Sequence, residues 1–199
     1  MVISVGRHLL TRGTLLGVQI DEMLDGAPPV HILYSDPPWN DRILKFFENR
    51  ARRSGVEHVD PTSYADICRA MARLIDLYVV GYAFIETAVT GVDQMLAAVK
   101  PMVNETRVFS TRYGSREARI IAGAFFGEPL HDIPEGLGGL PLVRACLAPV
   151  ARAGEYVLDP CCGSGLTAKA AVPLGMGFIG NELDPNRLDL CRRWLEAHK

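Results

Sequence analysis

A glycine-containing loop between two short apolar segments is the feature that most constrains the fold of this chain. The segment EYVL at 155–158 leads into the loop DPCCGSG at 159–165. A helical stretch at 166–174 and a second apolar segment, GFIG at 177–180, follow, and Glu182 comes directly behind them. Strand, loop, helix and strand in this order predict a βαβ unit of a parallel sheet.

The same loop predicts a site for a nucleoside. Glu182 lies 19 positions after Gly163, and an acid about 20 residues beyond such a loop, at the tip of the next strand, is placed to bind ribose hydroxyls. Gly163 and Gly165 would let the ligand approach the backbone closely. The full G-x-G-x-x-G pattern is missing because Ala168 stands at its third glycine, and no Lys-Ser/Thr pair follows. A mononucleoside therefore suits the loop better than NAD or ATP.

The residues DPPW follow another apolar run, 30–34. Asp36 can accept a hydrogen bond from an amino group, while Pro37 and Pro38 fix the backbone and lack N–H donors, which leaves carbonyl oxygens free to accept a second bond. Trp39 offers a flat face on which a base that has left its helix can stack. The alternative is an Asp-Pro turn after a strand.

Alternating strand and helix patterns predict an α/β fold with a mostly parallel sheet and helices on both faces. Residues 106–126 fit either a hairpin or a strand followed by a helix. Because ligands of such sheets bind at the carboxyl ends of the strands, Asp36, Asp159 and Glu182 are expected to meet in one cleft.

Together, DPPW and LDPCCGSG resemble the catalytic and cofactor motifs of S-adenosylmethionine-dependent amino methyltransferases, which methylate adenine N6 or cytosine N4. The catalytic motif precedes the cofactor loop, which resembles the permuted beta class of bacterial and phage DNA methyltransferases. The resemblance implies a Rossmann-like methyltransferase fold and S-adenosylmethionine as cofactor. It implies cofactor contacts at Asp36, Asp159, Cys161, Gly163, Ser164, Gly165, Glu182, Leu183 and Pro141.

Two of these positions depart from the family pattern. Cys161 replaces the usual Phe of the loop, and of the family's His-Pro-Thr-Gln-Lys-Pro segment only Pro141 is matched, within GLGGLP at 136–141. The implied catalytic residues are Asp36, Pro37, Pro38 and Trp39.

Composition fits one compact enzyme. The chain has 199 residues, 48% of them hydrophobic, so a single methyltransferase domain over residues 1–199 is expected, without a separate target-recognition domain. No apolar run reaches the length of a membrane span, and residues 1–16 do not resemble a signal peptide. An odd number of cysteines without zinc spacing predicts reduced thiols, and hence a cytosolic protein. The family resemblance implies that this is the cytoplasm of a bacterial or phage-infected cell.

The net charge of −2 excludes a globally basic nucleic-acid binder. Local cations follow the DPPW motif, and they are candidate phosphate contacts whose binding would depend on salt; the other reading is a solvated helix face. The candidates are Arg42, Lys45, Arg50, Arg52 and Arg53. DNA is the expected partner and RNA remains open. Sequence recognition would come from residues 42–61, from a homodimer or from a partner subunit.

Adenine N6 in DNA is the preferred target because cytosine-N4 enzymes more often carry Ser in place of the Asp of DPPW. The alternatives are an RNA adenine or a DNA cytosine-N4 methyltransferase, and a cofactor-binding partner subunit without catalysis. A protein or small-molecule amino methyltransferase would typically carry Asn before the two prolines, whereas this chain carries Asp36.

Overall fold

The computed structural model describes residues 2–56 and 62–198. The strands are β1 Val2–Val5, β2 His8–Arg12, β3 Val30–Ser35, β4 Val79–Ala88, β5 Glu105–Tyr113, β6 Arg116–Ala124, β7 Tyr156–Asp159 and β8 Gly177–Glu182. The α-helices are α1 Val18–Leu24, α2 Asp41–Arg53, α3 Tyr64–Tyr78, α4 Val92–Val99, α5 Gly139–Leu147, α6 Leu166–Ala171 and α7 Pro185–Ala197.

The eight strands form one sheet in the order β1-β2-β8-β7-β3-β4-β6-β5. Its five central strands, from β2 to β4, are parallel, and antiparallel pairs close both edges. The predicted α/β fold with a mostly parallel sheet is confirmed. The carboxyl ends of the parallel strands lie at one edge of the sheet, where a ligand site is expected.

Two hydrophobic clusters cover the two faces of the sheet. One contains side chains of α5, α6 and α7, and the other contains side chains of α1, α3 and α4 together with Leu44 of α2. Along β3 the side chains alternate, so that Ile32 and Tyr34 join the first cluster and Leu33 joins the second. A strand that is buried on both faces reads as a continuous apolar run, which is why 30–34 predicted a strand correctly.

Local capping fixes where the helices beside the site begin. Asn40 accepts a hydrogen bond from the backbone N–H of Ile43 at the start of α2, and Asp184 accepts one from Asn186 at the start of α7. Such caps satisfy backbone donors that have no partner inside the helix. Both helices therefore start immediately after a strand end that lies in the cleft.

The region 106–126 is a hairpin, β5 paired with β6 through a turn at Gly114. Gly114 has φ +61°, a backbone conformation that glycine adopts without steric cost. The hairpin brings Tyr113 and Arg116 to the edge of the cleft. Within the described part of the chain, no helix combines the length and the apolar character that a membrane crossing requires.

Candidate active site

A cleft of about 640 Å³ opens at the carboxyl ends of the parallel strands. Among the acidic side chains that line it, four lie at strand ends: Glu182 at the end of β8, Asp159 at the end of β7, Asp36 directly after β3 and Glu86 near the end of β4. The predicted convergence of Asp36, Asp159 and Glu182 is thus present. Glu86 was not predicted from the sequence.

Asp159 organises the loop that follows β7. Its Oδ1 accepts a hydrogen bond from the backbone N–H of Cys161 (3.1 Å), and its Oδ2 accepts one from the Thr167 hydroxyl on α6 (2.5 Å). Burial raises the pKa of Asp159 to about 7, against the effect of these two hydrogen bonds. The carboxyl group therefore ties the loop to the first turn of α6 in addition to facing the cleft.

Glu182 closes the same loop from the neighbouring strand. Its Oε2 accepts from the N–H of Gly163 (2.7 Å), and its Oε1 accepts from the N–H of Asp184 (2.9 Å). Each carboxylate oxygen can accept more than one hydrogen bond. Glu182 can consequently hold the loop and still accept hydrogen bonds from the hydroxyl groups of a ribose.

The two loop glycines support the cleft from behind. Gly163 and Gly165 have φ +55° and +83°, which favours glycine. A Cβ at Gly165 would lie 2.6 Å from Cys191 Sγ, and a Cβ at Gly163 would clash with Arg187. The space left by their missing side chains is thus filled by α7. Neither glycine is among the residues that line the cleft, and the close approach of a ligand to their backbone stays a prediction.

The other predicted cofactor residues divide into two groups. Cys161, Ser164 and Leu183 line the cleft, whereas Pro141 is exposed in α5 and does not line it. From the segment before the loop, Gly139 is the residue that reaches the cleft. Pro141 is the third residue of α5 and its side chain is exposed, so its predicted cofactor contact stays a prediction.

Asn181 adds an acceptor that has no partner among the residues the structure describes. Its Nδ2 donates to the carbonyl oxygens of Pro160 (3.0 Å) and Gly13 (3.2 Å), while its buried Oδ1 has no hydrogen-bond partner in the described chain. A buried unpaired acceptor costs free energy. Since Asn181 lines the cleft, a hydrogen-bond donor of a bound ligand would satisfy it.

All four residues of the DPPW motif line the cleft. The Trp39 Nε1–H donates to Asp36 Oδ1 at 2.9 Å, and Asp36 Oδ2 has no hydrogen-bond partner among the described residues. Burial raises the pKa of Asp36 to about 6, although the bond from Trp39 and the charge of Arg187 lower it. At neutral pH Asp36 is mainly a carboxylate with one oxygen free to accept.

Trp39 is more enclosed than a stacking platform requires. The side chain is 9% exposed, and its ring meets Tyr113 edge to face with the ring centroids 4.9 Å apart. The indole thus orients Asp36 in addition to lining the cleft. More accessible aromatic faces belong to Phe46 and Tyr113, which line the cleft and are 61% and 53% exposed.

Sequence reasoning missed several residues of the site. Glu86 was not singled out, although an acid inside the apolar run VVGYAFIETA was a signal for it. Tyr113 was missed because the pattern of 106–126 did not choose between two structures. Arg187 lies beside Gly163 and 3.9 Å from Glu182, and the helical pattern that contains it carries no signal for this role.

The predicted basic cluster does not line the cleft. The residues of α2 that line the cleft are apolar or acidic, and none of the five predicted cations is among them. Arg50 donates to Asp184 Oδ2 at 2.9 Å, so its charge is paired with the cap of α7. Arg42, Lys45, Arg52 and Arg53 are exposed. Residues 57–61 of the proposed recognition segment lie outside the described residues.

The same arrangement is found in solved structures of other proteins. The chain superposes on a protein described as a DNA modification methylase of Thermus thermophilus with a TM-score of 0.65 and 16% identity, over 96% of this chain and 95% of that one. The chain has the fold of this protein. It also shares this fold with M1.HpyAVI (TM-score 0.58, 18% identity, 94% and 97% of the chains).

A third neighbour is the cytosine-N4-specific PvuII DNA methyltransferase, with a TM-score of 0.58 and 13% identity over 94% of this chain and 85% of that one. No family model matches the chain. Structures of the Thermus thermophilus protein and of M1.HpyAVI are also known as complexes with S-adenosylmethionine.

Sequence relatives with the methyltransferase name match only segments of the chain. A ribosomal protein L11 methyltransferase of Cupriavidus metallidurans is 46% identical over 68 residues, which is 32% of this chain and 22% of that protein. The type II methyltransferase M2.DpnII of Streptococcus pneumoniae is 44% identical over 46 residues, 23% of this chain and 17% of that protein. The match therefore spans about a fifth of each relative.

Proposed function

We propose that this protein is an S-adenosylmethionine-dependent methyltransferase that methylates the exocyclic amino group of a base in DNA, and that the base is adenine. The observation that carries the proposal is the free Oδ2 of Asp36, which lies in one cleft with Glu182 and with the loop held by Asp159. An acceptor for an amino group and a site for a nucleoside cofactor thus share one space.

The residues present fit S-adenosylmethionine. Glu182 would accept hydrogen bonds from the ribose hydroxyls, and the unpaired Oδ1 of Asn181 would accept a further donor of the nucleoside. The acidic lining of the cleft suits a sulfonium cation. When bound, the cofactor supplies an electrophilic methyl group on positively charged sulfur.

Asp36 would prepare the amino group for attack. The lone pair of that amine is delocalised into the ring, and hydrogen bonds from the two N–H groups to Asp36 Oδ2 and to a carbonyl near Pro37 would favour a pyramidal nitrogen. A nitrogen held in this way would be the nucleophile toward the methyl group that the cofactor supplies, with the sulfur as the leaving group. The methylated nitrogen loses one proton, which Asp36 can accept because its pKa is about 6.

The preference for adenine rests on the Asp of DPPW. Cytosine presents the same amino group beside a ring nitrogen, and one structural neighbour is cytosine-N4-specific. RNA adenine is a further substrate with the same chemistry. The exposed Phe46 and Tyr113 at the edge of the cleft would stack a base that has left its helix, with Trp39 below them.

The test is transfer of labelled methyl from S-adenosylmethionine to DNA, RNA and free nucleosides, followed by identification of the methylated base. N6-methyladenine in DNA supports the proposal. N4-methylcytosine in DNA would instead identify cytosine as the target base, and label confined to RNA would identify RNA as the substrate. Label confined to protein would favour the chemistry of the L11 methyltransferases, which match part of this chain. Cofactor binding without any transfer would indicate a non-catalytic partner subunit.

Asp36→Ala should reduce methyl transfer at least about a hundredfold, because a hydrogen bond made to the reacting amine is lost. Binding of S-adenosylmethionine, measured by calorimetry, should stay nearly unchanged because Glu182 and Asn181 remain. Asp76→Ala is the matched control, since Asp76 is exposed on α3 away from the cleft. An Asp36→Ala protein as active as the Asp76→Ala control would remove this role from Asp36.

A further inference from the structure

Glu86 is a buried acid with an unused oxygen at the candidate site. It lies on β4 with 2% of its surface exposed and lines the cleft. The Tyr34 hydroxyl donates to its Oε1 at 2.6 Å, and its Oε2 has no hydrogen-bond partner among the described residues. Because leaving a buried polar atom without a partner is unfavourable, a ligand group that pairs with Oε2 would recover that loss.

The position of β4 in the sheet places Glu86 on the side of the cleft where the target base would bind. The carboxyl groups lie along the sheet edge in the order Glu182, Asp159, Asp36 and Glu86, on the adjacent strands β8, β7, β3 and β4. Ser35 pairs with Ile85 in the register of β3 and β4, so Asp36 and Glu86 follow at the same level. With the cofactor at Glu182, Glu86 lies beyond Asp36, where the base would be.

The environment keeps Glu86 protonated at neutral pH. Burial and the negative charge of Asp36 together raise the pKa of Glu86 to about 8, while the bond from Tyr34 opposes the shift. The other titratable groups that interact with Glu86 are Asp159 on β7, Tyr113 on β5 and Cys146 on α5. None of these is a cation, so burial and acidic neighbours together favour the neutral acid.

We propose that Glu86 reads the target base: as a neutral carboxyl group it donates a hydrogen bond from Oε2 to the ring nitrogen beside the amino group whose N–H Asp36 accepts. The inference rests on the proposed function and adds a determinant of substrate choice to it. Asp36 and Glu86 have distinct roles, as acceptor and donor, because their environments separate their protonation states.

The donor and acceptor pair matches one edge of a base. Adenine presents an amino group beside the acceptor N1, and cytosine presents an amino group beside the acceptor N3. Guanine and thymine place an N–H group at the equivalent ring position, which would face the carboxyl proton of Glu86 without an acceptor. A site built in this way excludes both bases because its polar groups would stay unpaired.

The test combines a variant with an altered substrate. The wild-type enzyme first maps the methylated position in an oligonucleotide, and the target adenine is then replaced by 1-deazaadenine, which lacks the ring acceptor (3-deazacytosine if the mapped base is cytosine). The deaza base should lower kcat/KM of the wild type about ten- to a hundredfold. Glu86→Ala should show a similar loss on the normal base and little further loss on the deaza base.

Glu86→Gln provides a second variant of the same size. Its amide N–H can donate in place of the acid, so it should recover most of the activity that Glu86→Ala loses on the normal base. The wild-type kcat/KM should fall as the pH rises above about 8, where Glu86 ionises, and this fall should be absent in Glu86→Gln. Asp76→Asn, an exposed change on α3, is the control and should keep the wild-type pH profile.

Two results would overturn the inference while the proposed function stands. One is that the losses of kcat/KM caused by Glu86→Ala and by the deaza base are independent, so that they multiply when the variant acts on the deaza base. The other is a high-pH fall that persists unchanged in Glu86→Gln, which also decides the matter if Glu86→Ala does not fold. A wild-type protein that transfers no methyl group to DNA would instead contradict the proposed function itself.

Discussion

At the scale of single residues, the free oxygen of Asp36 depends on its neighbour Trp39. The indole N–H donates to Oδ1, and Oδ2 stays without a partner among the described residues. The aromatic residue of DPPW thus orients the carboxylate that the chemistry requires. The same hydrogen bond stabilises the ionised form of Asp36 and opposes the rise in its pKa that burial causes. Trp39 therefore acts on both the geometry and the protonation state.

Trp39→Phe separates this role from stacking, because it keeps an aromatic ring and removes the N–H. Without the hydrogen bond the pKa of Asp36 should rise above about 6. Since Asp36 must be ionised to accept the amine, the fall in kcat/KM at acid pH should begin at higher pH than in the wild type. The measurement is the pH profile of methyl transfer, and an acid limb that does not move would mean that Trp39 only contributes an aromatic surface.

At the scale of elements, α2 contributes two kinds of side chain. It supplies Phe46, Phe47 and Glu48 to the cleft, whereas its exposed cations do not line the cleft. Arg50 pairs with the cap of α7 and so joins the two helices that follow β3 and β8. We expect the cations to flank the mouth of the cleft, where phosphates on either side of an inserted base would lie.

Arg42→Glu combined with Lys45→Glu should weaken DNA binding and make it less dependent on salt. Each lost phosphate contact should reduce the slope of log K against log salt by about 1. Binding of S-adenosylmethionine should not change, because neither side chain lines the cleft. Lys100→Glu, a charge reversal at an exposed residue after α4, is the control. If the double variant keeps the wild-type salt slope, these cations do not contact phosphates and only form a solvated helix face.

Elements also show what a sequence can and cannot predict here. The apolar runs before Asp36 and Asp159 predicted β3 and β7, because buried parallel strands are apolar on both faces. The hairpin of β5 and β6 was not resolved, because its exposed strand mixes charged and apolar residues without a clear period. Tyr113 and Arg187 come from elements distant in sequence, so only the fold brings them to the cleft.

Glu86 illustrates the limit for the candidate site itself. Its sequence context indicates a core strand, and only the pairing of β3 with β4 reveals that it lies beside Asp36. For Gly163 and Gly165, the sequence pattern predicted instead that a ligand approaches their backbone closely. Their missing side chains make room for α7, a packing relation that no local pattern contains.

At the scale of the whole molecule, the cleft gathers buried carboxyl groups whose pKa values are raised: Asp36 to about 6, Asp159 to about 7 and Glu86 to about 8. Each binds its proton more tightly in the folded protein than in the unfolded chain. Their contribution to stability is complete below the unfolded pKa values and is lost as the pH rises through the folded ones. At neutral pH these carboxyl groups therefore contribute less to the free energy of unfolding than they do at acid pH.

The contribution of these carboxyl groups to the free energy of unfolding, measured by urea denaturation, should therefore decrease between about pH 5 and pH 8. His8 and His31, whose pKa values are lowered mainly by burial, act in the opposite direction, so the comparison with a variant is the decisive quantity. Glu86→Gln cannot ionise and should gain stability relative to the wild type as the pH rises to about 8, above which the difference should level off. A difference between the two proteins that is independent of pH would contradict a protonated Glu86.

The most direct measurement is a crystal structure of the protein with S-adenosylmethionine bound. The ribose is predicted to lie against Glu182, with the sulfonium methyl group directed toward the space in front of Asp36 Oδ2 and with Glu86 on the far side of that space. A cofactor that binds away from Glu182, or whose methyl group points away from Asp36, would contradict a shared site for the amine and the methyl donor.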